Sequence, residues 1–118
     1  MKPTDLMIKD WVMVKVLSQI PNTYVLHTWT ANDYSRDLQV KPIPLTTEIL
    51  EKNGWEYTTY CHEYRDDKNN IIQCRLPYMV GRINGIDIER FKCKYVHQYQ
   101  HLLRLCGLNE LANNFKVV

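Results

Sequence analysis

The clearest pattern of apolar and polar positions lies at residues 95–106. At 100° per residue, Tyr95, Val96, Tyr99, Leu102, Leu103 and Cys106 fall within an arc of about 120°, as on a core-facing helix. Lys94, His97, Gln98, Gln100, His101 and Arg104 occupy the rest of the circumference, with Leu105 among them. Gly107 follows as the natural terminator.

Upstream the period is two. Residues 11–17 (WVMVKVL) and 24–30 (YVLHTWT) are rich in β-branched and aromatic residues, and the turn chemistry of 20–23 between them predicts a hairpin. Trp29 is out of phase with Leu26, so one of the two faces outward. Asn32 and Asp33 begin a polar loop. Residues 38–43 predict a short edge strand ended by Pro42 and Pro44. Thr46 is placed to cap a short helix over 47–53, with Glu48 in its first turn, Leu45 and Leu50 as a hydrophobic staple, and Gly54 as its stop.

Residues 55–65 read as one long strand, with Trp55, Tyr57, Thr59 and Cys61 on one face and Tyr60, His62 and Tyr64 on the other. A hairpin tip at 66–70 and a return strand at 71–76, stopped by Pro77, come next. Gly81 and Asn84-Gly85 mark further turns. Over 86–94 the phase changes: Ile86 and Ile88 share one parity, and Phe91, Cys93 and Tyr95 the other. One extra residue near Glu89-Arg90, a β-bulge, keeps all of them on the core side. Residues 108–118 form a tail with a short final strand at 115–118.

These elements predict a single α+β domain over 1–118. Strands occupy 1–45, a short helix 46–54, hairpins 55–94 and an amphipathic C-terminal helix 95–107. The sheet is small and antiparallel, or a partly open barrel. Trp11, Trp29, Trp55, Tyr99 and Leu103 are the expected core. An apolar fraction of 45% supports a folded chain.

Net charge is +2, too little to imply nucleic acid. Its distribution is uneven: residues 1–74 carry 8 Lys and Arg against 10 Asp and Glu, and residues 75–118 carry 7 against 3. A basic last third permits a polyanionic partner without requiring one. Asp5, Lys9 and Asp10 interrupt any apolar run at the start, so no signal peptide is expected, and no stretch approaches the roughly 20 apolar residues of a membrane span. Cys61, Cys74, Cys93 and Cys106 stand 13, 19 and 13 apart with no CxxC, which suits buried reduced thiols in a cytosolic protein.

Three segments together, "DWVMV" at 10–14, "PIPLTTEILEKNGW" at 42–55 and "KYVHQYQHLLRLCG" at 94–107, resemble a family of small uncharacterised proteins of Bacteroidales-type gut bacteria and their prophages. The likeness covers the ends and middle of the chain and is weakest over 56–90. The family has no assigned activity, so no catalytic residue carries over. The resemblance implies a cytoplasmic prophage or mobile-element setting and an N-terminal part similar to a small SH3-like barrel.

Candidate chemistry is sparse. His97 and His101, at i and i+4, can reach one metal, but HExxH is absent and no third ligand is fixed by the pattern. Ser18 and Ser35 are the only serines, and the glycines are scattered. No catalytic residue, cofactor or metal is therefore expected. Two surfaces remain. One is the Tyr60, His62 and Tyr64 face. The other is a basic strip of Arg90, Lys92, Lys94 and Arg104; on the helix, His97, His101 and Arg104 form an exposed strip, read first as solvated surface and otherwise as the rim of a protein interface. The expected function is non-catalytic binding of another protein. The alternative is a nucleic-acid-binding module using the basic last third with Tyr60 and Tyr64.

Overall fold

In the computed structural model, β1 (Trp11–Lys15) runs between two hydrophobic cores, and its alternation serves both. Val12 and Val14 enter a small core with Leu6 and Trp29, and Leu38 and Val40 pack against it. Trp11 and Met13, of the other parity, pack against the larger core. The structure describes all residues except 3–4, 17–19, 22, 59–62 and 76–77, and only the backbone of 74 and 75.

β1 pairs antiparallel with β2 (Tyr24–Thr28), from Trp11↔Thr28 to Lys15↔Tyr24, and with β3 (Val40–Lys41) on its other edge. A 3-10 turn at Ala31–Ser35 occupies the expected polar loop. Trp29 is buried and Leu26 exposed, which settles their phase conflict. β1–β3 form an open three-stranded sheet, so of the two expected forms, a small antiparallel sheet or a partly open SH3-like barrel, it is the open sheet that forms.

α1 (Thr47–Lys52) forms as its sequence predicts. Thr46 Oγ1 accepts the Ile49 amide at 3.3 Å, and Leu50 is buried. A second antiparallel sheet follows in simple meander order: β4 (Glu56–Thr58), β5 (Glu63–Arg65), β6 (Ile71–Arg75), β7 (Tyr78–Ile83) and β8 (Ile86–Lys92). Its apolar side chains share one core with Trp55, α2 (Val96–Leu105) and α3 (Asn109–Asn113).

Three local expectations change. Residues 55–65 are not one strand: β4 and β5 pair with each other, and Tyr57 stands opposite Tyr64 with ring centroids 5.0 Å apart. A chain reversal puts on one face two tyrosines that a continuous strand would separate. Gly81 lies inside β7 rather than at a turn. A Cβ there would sit 2.0 Å from the Ile71 carbonyl oxygen, so the position admits only hydrogen. The tail forms α3, and 115–118 is not a strand. Phe115 and Val117 are buried, but Asn53 takes the backbone of Lys116, accepting its amide at 2.8 Å and donating to its carbonyl at 2.8 Å.

The bulge stands where the phase change requires it. Ile88 faces Gly81 and Phe91 faces Met79, leaving Glu89 and Arg90 opposite Val80 alone. Ile88 and Phe91 consequently both pack against the core. Asn84, in the turn between β7 and β8, donates to the Cys106 carbonyl at 2.7 Å and so ties β8 to the end of α2.

Candidate functional site

The polar side of α2 is expected to meet water, but much of it meets the N-terminal strand module. Asp10, immediately before β1, is fully buried, and α2 supplies most of its partners. His101 Nε2 lies 2.5 Å from Oδ2, Arg104 Nη1 donates to Oδ1 at 2.5 Å, and the Met7 amide donates to Oδ2 at 2.8 Å. Arg104 also reaches the Ile8 carbonyl, and only 11% of its side chain is exposed. A buried carboxylate needs this degree of pairing to stay charged.

Gln100 reinforces the same seam. Its Oε1 accepts the Trp11 amide, and its Nε2 donates to the carbonyls of Lys9 and Ala112, each at 2.9 Å. His101 and Arg104, expected on an exposed strip with His97, therefore form an internal clamp between α2 and the chain leading into β1. An amphipathic pattern shows which side is polar; it does not show that a second polar surface will cover it.

His97 is buried too. It stacks on Tyr95 at 6.0 Å and meets His101 edge-on at 5.7 Å, and its Nδ1 has no hydrogen-bond partner among the described residues. Burial, helped by the neighbouring His101, pushes its imidazole below the ordinary value. His97, His101, Asp5 and Tyr95 border an open recess of about 300 Å³. Among the described residues, no three His, Cys, Asp or Glu side chains come together in a way that could hold a metal. Cys93 and Cys106 are buried, and burial raises the Cys106 value; Cys61 and the Cys74 side chain lie outside the described residues.

The other sequence-chosen residues separate. Tyr60 and His62 lie outside the described residues. Tyr64, a candidate for an interaction face, is buried, and its hydroxyl lies 2.7 Å from that of Thr47. Arg90, Lys92 and Lys94 are exposed, as their alternation with Phe91 and Cys93 predicts. Arg90 lies over the Tyr78 ring at 4.5 Å.

Beside these cations is a surface that the sequence only hinted at. Leu105, on the outward side of α2, is 70% exposed. It lines an open groove of about 240 Å³ with Leu102, Cys106 and the length of β8 from Ile86 to Phe91. Ile86 is 45% exposed. The lone signal was Leu105 standing among the polar residues of the helix. Asp10 and Gln100 gave no signal, because nothing local marks a polar residue for burial.

No family model matches the chain, and neither a curated protein nor a solved structure does. Among the described residues no helix is long and apolar enough to cross a membrane.

Proposed function

We propose that this is a non-catalytic interaction protein that binds another protein, in the cytoplasm and in a prophage or mobile-element setting. The observation that supports binding is the groove beside β8: an apolar floor of Leu105, Ile86, Leu102 and Phe91, with Asp87, Glu89 and Arg90 at its rim. Protein interfaces share this anatomy of apolar centre and charged margin. Leu105 is not needed for the fold, because most of its side chain meets solvent.

The Asp10–His101 pair resembles half of a catalytic relay but is wired differently. In a serine-protease-type relay the carboxylate holds Nδ1 and leaves Nε2 to reach a substrate. Here Asp10 holds Nε2, and the remaining nitrogen is the one nearer the backbone. Arg104 and the Met7 amide draw on the same carboxylate, which suits a fastening.

The nucleic-acid alternative has weaker support, since Tyr64 is buried and Arg90 already rests on Tyr78. Co-purification from the host with wild type and Leu105→Glu distinguishes the two. The protein reading expects a partner lost with the variant while circular dichroism is unchanged. Recovery of nucleic acid instead, with affinity falling at a log–log salt slope near −0.9 per phosphate, would refute it.

A further inference from the structure

Resting on the protein-binding reading, we propose the partner's chemistry and its mode of docking: an extended segment, alternating apolar and acidic residues, that adds as a strand to the outer edge of β8. β8 is the last strand in the order of its sheet, so among the described strands its outer edge has no neighbour. Its seven residues make it the longest strand among the described residues. Residues 43–45 take over just past it, where the Leu45 amide donates to the Lys94 carbonyl and the Val96 amide to that of Ile43. The open edge is thus bounded by the β7–β8 turn at one end and by Lys94 at the other.

The two sides of that edge differ in chemistry. Toward α2 lies the apolar groove with Leu105, Leu102 and Phe91. The opposite face of the sheet carries Tyr78 opposite Lys92 and Arg82 opposite Asp87. Arg82 and Asp87 pair with each other at 2.8 Å, so neither charge is left over. Arg90, Lys92 and Lys94 then stand against Glu89 alone, and the face is positive toward the Lys94 end. Successive side chains of an added strand point to opposite faces. One set meets the groove and must be apolar. The other meets the cations and is complemented by Asp or Glu. Main-chain bonds supply affinity and the alternate side chains supply selectivity.

The bulge argues against a second copy as the occupant. Glu89 and Arg90 twist the edge, and two bulged edges set against each other cannot keep a continuous ladder. A flexible segment can follow the twist.

The test is selection of a random 12-residue peptide display library on the immobilised protein, followed by synthesis of the enriched peptides. The expected peptides alternate apolar and acidic residues. Their binding should fall at least tenfold with Leu105→Glu and at least tenfold with Lys92→Glu/Lys94→Glu, both surface changes that leave the circular dichroism spectrum intact. N-methylation of every second amide should abolish binding in one phase and spare it in the other, as strand addition requires. Enrichment of basic or helical peptides, indifference to the lysine reversals, or equal loss in both methylation phases would overturn the proposal. So would concentration-dependent dimerisation in sedimentation that Leu105→Glu abolishes. A selection that enriches nothing also overturns it. The protein-binding reading is judged separately, by whether a co-purified partner depends on Leu105.

Discussion

Asp10→Asn is the sharpest probe of the clamp. The substitution keeps the side chain's shape and removes its charge. Three donors converge on the carboxylate: His101 Nε2, Arg104 Nη1 and the Met7 amide. An amide offers one acceptor oxygen and turns an NH₂ donor toward the others. Removing one partner of a buried ion pair costs about 3–5 kcal/mol, because the remaining charge is stranded. Arg104 retains slight exposure, which places the expected loss near about 3 kcal/mol, the lower end of that range. With a urea slope of about 1–3 kcal/mol per molar, the midpoint should drop by at least about 1 M. Asp67→Asn, at an exposed carboxylate, serves as the control and should stay within about 0.5 kcal/mol. Adding Arg104→Met should recover part of the loss, since no cation is then left stranded. A midpoint equal to that of the control, or strict additivity in the double variant, would refute the clamp.

Gly81→Ala should prevent stable folding of the second sheet, a loss above about 4 kcal/mol, because its Cβ would overlap the Ile71 carbonyl; thermal unfolding reads this directly. Leu103→Ala should cost about 2–5 kcal/mol and Leu105→Ala within about 0.5 in urea titrations, the first being buried and the second exposed. His101→Ala should cost about 1.5–3 kcal/mol, as for a hydrogen bond to a charged group, and not the negligible loss of a surface histidine. His97 titrates below its ordinary 6.5 when folded, so acid favours the unfolded chain: stability should fall from near pH 6.5 downward and level off below the folded value, and His97→Gln should flatten that limb. Asp33 behaves separately: burial would raise its value, but hydrogen bonds from His27 and Thr30 outweigh this and hold it at about 2, against an ordinary 3.8. Its contribution, about 2 kcal/mol, is complete above pH 3.8 and lost as pH falls through 2; Asp33→Asn should remove this acid dependence.

The period of apolar residues, together with the turn and cap residues that bound each segment, was enough to place β1, β2, α1, β8 and α2 within a residue or two. It placed the bulge as well: Ile88 and Phe91 reach one core only if Glu89 and Arg90 share a single partner. The same reasoning went wrong where a chain reversal interrupts an apparent alternation, as between β4 and β5. It also went wrong where a side chain replaces a strand, as Asn53 does for Lys116. The polar residues show the boundary most clearly. Composition and helical phase put Gln100, His101 and Arg104 on the wet side of α2, and no local rule distinguishes them from Gln98 or Lys94. Burial came from docking the chain around Asp10 against that side, 91 and 94 residues from His101 and Arg104 in sequence, where carboxylate, imidazole and guanidinium satisfy one another. Leu105 is the converse: an apolar residue that the same docking leaves uncovered. Periodicity records which residues share a face. Which faces are finally covered depends on contacts between distant segments, and those exist only once the whole chain has packed.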